Sequence, residues 1–168
     1  MNKKTTMKSY IGTKQIEAMP MTRGDYNKHR GWTIPADENP ADEGYLVRYP
    51  DGYISWSPKN IFEEAYRECC NMTLGLALEA LKKGHKVSRH GWNGKGMYLY
   101  LVSGRMVDKE NLVNEASRIL PNDEEAMHHT GTAQFLPHID MRTANGDVCV
   151  GWLASQTDML ADDWEIVE

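Results

Sequence analysis

The stretch Arg89-His90-Gly91-Trp92-Asn93-Gly94-Lys95-Gly96 restricts the folding of this chain more than any other. Three glycines within six residues let a backbone turn sharply or approach a ligand closely. The run that follows, Met97 to Val102, is β-prone and apolar, and would hold the loop rigid at its exit. With a strand predicted over Lys86 to Arg89, the loop lies at the tip or shoulder of an antiparallel pair, where ligand-facing loops commonly sit. Trp92 offers a stacking face, Asn93 an amide and Lys95 a positive charge.

Charge narrows the partners. Residues 1 to 70 carry ten basic and ten acidic side chains, so the net charge of -5 belongs to the remainder. From Thr73 to Tyr100 five basic residues face Glu79 alone, while the rest of that half holds thirteen acidic residues against four basic. A nucleic-acid polymer would be repelled by the whole, whereas a small anion would find a local basic pocket. Lys82 and Lys83 fit a solvated helix end better; Arg89 and Lys95 flank the glycine loop and are the candidate anion contacts. No run of about 18 apolar residues and no charged-then-apolar leader is present, which speaks against a membrane span and an export signal. Cys69, Cys70 and Cys149 are odd in number and lack metal spacing, as expected of reduced thiols in a cytosolic compartment.

Two modules are predicted. Residues 1 to 70 read as a small α+β module. Met1 to Ser9 is a polar tail, and a short strand over Lys14 to Met19 is closed by Pro20. Thr22 caps a helix stopped by Gly31, with Asp25 as capping partner. A hairpin follows, Gly44 to Tyr49 and Tyr53 to Trp56 around Pro50-Asp51-Gly52, and then a helix with Ser57 as N-cap and Pro58 at its first position. The dense aromatics of this module sit at strand and helix spacing and read as core.

Residues 71 to 168 read as a second α+β module, a small antiparallel sheet with a helix at its N-terminal end. Thr73 caps that helix, Leu74, Ala77, Leu78 and Leu81 form its apolar face, and Gly84 stops it. Residues 103 to 134 look like an insertion or lid, with Leu112, Val113, Ala116 and Ile119 as one helical face. The adjacent pair His128-His129 is a poor metal site, since neighbouring helical residues point about 100 degrees apart. A second hairpin, Leu136 to Thr143 and Val148 to Trp152, turns at Asn145-Gly146, the strongest signal for a tight primed turn. If Ile139 and Met141 face the core, His138, Asp140 and Arg142 project from the other face, either as a functional polar row or as an ordinary exposed strand surface. In Ser155-Gln156-Thr157-Asp158, Ser155 and Asp158 suit a capping box; equally, Ser155, Gln156 and Asp158 could read the edge of a nucleobase. Asp162 to Val167 is the last strand.

Recognised catalytic signatures are absent: no nucleophile elbow, phosphate loop, dinucleotide fingerprint or His-Glu-x-x-His helix occurs. His138 and Asp140 are an acid/base pair only in principle. Trp92 and Trp152, each beside a glycine and followed by hydrogen-bonding residues, are either base-stacking walls or plugs of a small core.

The blocks Thr73 to Gly84, Arg89 to Tyr98, Leu136 to Met141 and Val150 to Trp164 closely resemble a bacteriophage domain family, the second Thoeris anti-defence family, over residues 72 to 168 apart from 103 to 134. The resemblance implies a non-enzymatic sponge that sequesters glycocyclic ADP-ribose, and in some members cyclic dinucleotides. It further implies a homotetramer with pockets at subunit interfaces, acting without a cofactor in the cytoplasm of the infected host. By motif position Trp92 and Trp152 would be the pocket walls, with Asn93 and Asp158 as polar contacts. The module over residues 1 to 70 departs from that pattern and leaves the tetramer geometry open.

Overall fold

The computed structural model describes residues 9–128 and 130–168, and the chain divides between Glu68 and Cys69 into two units. Both are α+β.

In the first unit, β1 (Glu17–Pro20), β2 (Gly44–Arg48) and β3 (Ile54–Pro58) form an antiparallel sheet in that order. The α1 helix (Arg23–His29) begins at Thr22, whose Oγ1 accepts the Asp25 N–H at 3.2 Å. Arg23 and Asn27 both donate to Glu38, which ties the long β2-approach loop to the helix. Two details differ from the predicted elements. The first strand is only four residues long and includes Pro20, which at this sheet edge gives up no ladder bond. Ser57 does not cap a helix: it pairs with Tyr45 inside β3, so α2 (Lys59–Ala65) starts after Pro58 without a side-chain cap. The aromatics read as core stack without being buried: Tyr45 lies on Phe62 at 4.1 Å and Phe62 on Tyr66 at 4.9 Å as half-buried rings, and Tyr53 is exposed.

The second unit opens with α3 (Leu74–Lys82), capped by Thr73 and lying on a five-stranded sheet. Its strands are β4 (Lys86–Arg89), β5 (Tyr98–Val102), β8 (His138–Arg142), β9 (Val148–Cys149) and β10 (Trp164–Val167), in the order β10-β4-β5-β8-β9. The register aligns Ile166, Val87, Leu99 and Met141 across four strands as one apolar row. That row meets Ala77, Ala80 and Leu81 of α3, and Trp164 closes the core at one end with no exposed surface. Because side chains alternate along a strand, Arg89 and Trp164, which are paired in register, emerge at the rim of this same covered face.

The segment 103 to 134 departs most from its predicted form. It carries its own hairpin, β6 (Arg105–Asp108) paired with β7 (Thr132–Phe135), and a short helix, α4 (Asn114–Ile119). Val107, Leu112 and Ala133 form a small separate core, with Ala116 packed against it. Val113 and Ile119, predicted on one helical face with Leu112 and Ala116, are exposed; Val113 is the extended residue before α4 and no part of the helix. Of the histidine pair, His129 lies outside the described residues, as does Met1 to Lys8 of the N-terminal tail.

The β8–β9 connection also differs from its predicted form. Thr143 N–H donates to Asp147 O, Gly146 N–H donates to Thr143 O, and only Gly146 has positive φ, at 94°. That is a three-residue loop closed by a glycine bulge, whereas a primed turn on Asn145-Gly146 would place Asn145 in the left-handed region too. The α5 helix (Gln156–Met159) lies between β9 and β10 and completes the unit.

Candidate functional site

Trp92 and Trp152, 60 positions apart in sequence, are brought together with Trp164. Ring centroids lie 6.4 Å apart for Trp92 and Trp152, 5.5 Å for Trp92 and Trp164, and 6.0 Å for Trp152 and Trp164, all edge to face. Trp164 is the buried floor; Trp92 and Trp152 pack against the core yet keep part of their surface in solvent. Each of these tryptophans is thus packed against the core, as the core reading has it, and keeps part of its indole exposed beside it.

Asp158 organises this cluster. It stands at the third position of α5, where Ser155 caps the helix through a reciprocal capping box. Its Oδ1 accepts Arg89 Nη1 at 2.8 Å and Trp92 Nε1 at 3.0 Å, while its backbone carbonyl accepts Trp164 Nε1 at 3.0 Å. Burial opposes the charge, yet hydrogen bonds from Ser155, Trp92 and Arg89 overcome it and hold the carboxyl at about 2. Arg89 in turn grips Asp163 through Nε at 2.7 Å and Nη2 at 3.3 Å. Its guanidinium pKa is raised, chiefly by that hydrogen bond to Asp163. Enclosed between two carboxylates, Arg89 uses three of its five N–H donors to tie Asp158 to Asp163.

The glycine loop is clamped along its length. Asp163 Oδ2 accepts the Gly91 N–H at 2.7 Å, and a Cβ on Gly91 would sit at 2.7 Å from that same oxygen. At Gly94 a Cβ would collide with Met97 and come within 2.7 Å of Ala144 Cβ in the β8–β9 turn. Arg142 Nη1 donates to Gly96 O at 2.6 Å, and Ser88 Oγ to Met97 O at 2.8 Å. The glycines thus permit close packing against the chain's own elements. Asn93 and Lys95 are exposed on this fixed frame, and among the described residues neither side chain has a hydrogen-bond or ion-pair partner. Gln156 is likewise exposed at the first position of α5.

The row His138, Asp140 and Arg142 is not an open polar surface. Asp140 is only 5% exposed, accepting Gly151 N–H at 3.1 Å as the chain folds back after β9, with His138 Nε2 at 3.6 Å. His138 Nδ1 lies 3.0 Å from Leu136 O, and Arg142 is spent on the glycine loop. The strand alternation was read correctly, but the returning segment covers the middle of the row. Two contributors were missed: Asp163 and Trp164 were read simply as strand, because nothing local in Asp162-Asp163-Trp164 announces a contact 74 residues away.

These residues fall inside a match to a family model described as the Thoeris anti-defense 2-like domain, which spans residues 72–167. The chain belongs to that family. It is also 35% identical over 102 residues to a protein named Thoeris anti-defense 2 from Bacillus phage SP01, covering 57% of this chain and 94% of that protein. The family match begins after the division at Glu68, so the whole first unit lies outside the Thoeris anti-defense 2-like region. That first unit contains an open groove of about 410 Å³ beside Thr22, Tyr45 and Lys59. Its carboxylates are already partnered, Glu43 with Lys59 at 2.8 Å and Glu63 with Tyr45 Oη at 2.9 Å. The groove therefore offers no convergent unpaired group, in contrast to the loop bearing Asn93 and Lys95. No helix among the described residues is long and apolar enough to cross a membrane.

Proposed function

We propose that this protein is a non-enzymatic phage anti-defence sponge that binds and sequesters cyclic nucleotide immune signals. The signals of this reading are glycocyclic ADP-ribose of Thoeris, cyclic oligonucleotides of CBASS, or both. One observation carries this: the partly exposed Trp92 and Trp152, held 6.4 Å apart beside the unpartnered Asn93 and Lys95. Two indole faces stack on bases, worth roughly 1–3 kcal/mol per base, while an amide reads a base edge and an ammonium neutralises a phosphate. The name of the phage relative supports the anti-defence role.

Sequestration by a homotetramer fits the surface of this unit. Leu153 is 89% exposed, Leu160 80% and Val150 70%, all near the tryptophan cluster in sequence. A second copy seated on such residues would remove them from water and enclose the pocket at the interface. The site of action is the cytoplasm of the infected host, where the signals are made.

The experiment is direct. The full-length protein is incubated with glycocyclic ADP-ribose or a cyclic dinucleotide, heat-denatured, and the small molecule recovered by chromatography. Intact ligand, retained until denaturation, is the expected result. A turned-over product would replace the sponge by an enzyme acting on the same molecules, and no retention would favour a phage structural or adaptor role.

A further inference from the structure

We infer that Asp158 is a positioning residue of the tryptophan pocket, acting on a stacked ligand through Trp92 and contacting none of it. Its effect on a ligand rests on the sponge function proposed above; its effect on the indole rests on geometry alone. An ionised carboxylate offers about four acceptor sites. At Asp158 all are taken: Arg89 Nη1 at 2.8 Å and Trp92 Nε1 at 3.0 Å on Oδ1, Ser155 Oγ at 2.6 Å and Ser155 N–H at 3.1 Å on Oδ2. The residue is 8% exposed, so a ligand meets neither a vacant lone pair nor an open surface. The indole it holds is, by contrast, partly open to solvent.

The backbone carbonyl of Asp158 takes the Nε1–H of Trp164, so this one residue fixes two of the three rings. Trp152 meets both rings edge to face. An indole with its N–H pinned to a buried carboxylate is held in one plane, and a planar stack depends on that plane. Asp158→Asn keeps the shape but replaces one acceptor oxygen by a donor, so it cannot serve Arg89, Trp92 and Ser155 together.

The test is a double-mutant cycle in the full-length chain, with glycocyclic ADP-ribose as the probe and calorimetry as the readout. Asp158→Asn is expected to weaken binding about tenfold with Trp92 present, and by less than about twofold in a Trp92→Phe background, which has no N–H to hold. An equal loss in both backgrounds would overturn the inference, because it would mark Asp158 as a direct contact. A second measurement needs neither ligand nor the Asp158 variant. The Trp92 Nε1–H resonance, assigned by its disappearance in Trp92→Phe, should exchange slowly with water in the unaltered protein. Rapid exchange would also sink the positioning role. Should the unaltered protein bind no cyclic nucleotide, sequestration falls while this second measurement still decides whether Asp158 holds the ring.

Discussion

The indole nitrogen of Trp92 and the guanidinium of Arg89 converge on the same oxygen of Asp158, at 3.0 and 2.8 Å. A candidate stacking wall and a candidate anion contact are thus joined through a residue from the far end of the domain. Arg89 joins Asp158 to Asp163 in this arrangement, while Lys95, the other candidate anion contact, is exposed.

Alanine at Trp92 should therefore act on two measurements together. Loss of its ring is expected to weaken binding about 5- to 150-fold, from roughly 1–3 kcal/mol of stacking. The same change should lower the melting temperature, since the ring also packs on Trp164. Trp164→Ala is expected to cost roughly 3–5 kcal/mol of stability, because that ring is wholly buried. Calorimetry beside a melting curve checks both. A Trp92 variant with full affinity and reduced stability would move the binding site away from the glycine loop.

Gly94→Ala tests the clamp on the loop. Its methyl group would press into Met97 and Ala144, so a destabilisation of roughly 1–3 kcal/mol is expected, together with weaker ligand binding. Alanine at Gly12, which has open space around it, should change neither, and urea melts of the two variants make the comparison.

Acid should release the network. The Asp158 carboxyl lies at about 2 in the fold against an ordinary 3.8, so its contribution is present above the unfolded value and lost as pH falls through the folded one. Asp163 is lowered as well, first by its hydrogen bond from Arg89, and adds in the same direction. Stability followed by chemical denaturation from pH 5 down to pH 2 is expected to drop by about 2 kcal/mol on account of Asp158, and the Asp158→Asn variant should show a shallower fall.

Much of this architecture was legible in the chain. Thr22, Thr73 and Ser155 cap helices as their spacing indicates, and Lys86 to Arg89 forms the strand predicted for it. Such features depend on neighbours within a few residues. What could not be read was long-range: Asp163 bonding Arg89, Gly151 covering Asp140, and Ala144 meeting Gly94. In the insertion Leu112 and Val113 match a helical period, yet both are extended and the helix begins only at Asn114. The role of Asp158 could be sensed as polar, but saturation of its oxygens becomes apparent only once the four donors converge.

Removing the first unit should spare binding, since the family match lies entirely beyond it. A cut after residue 70 would discard the Cys69 carbonyl, which accepts Ile166 N–H at 2.9 Å in the last strand. The better truncation begins at Cys69, and its affinity is expected to stay within about tenfold of the full chain, or about 1.4 kcal/mol. Abolished binding in a folded truncation would mean that the pocket needs the first unit.

The order in which the chain leaves the ribosome gives the arrangement of β10 a further meaning. The strand runs beside β4, and Asp158, Asp163 and Trp164 all follow the glycine loop by more than sixty positions. The glycine loop is synthesised well before them, so the bond from Gly91 N–H to Asp163 can form only once that later segment has emerged. A nonsense or frameshift lesion anywhere upstream would deprive the nascent domain of both its floor and its anchors. Truncation before Asp158 would thus remove the Trp164 floor and the Asp158 and Asp163 contacts to the loop together.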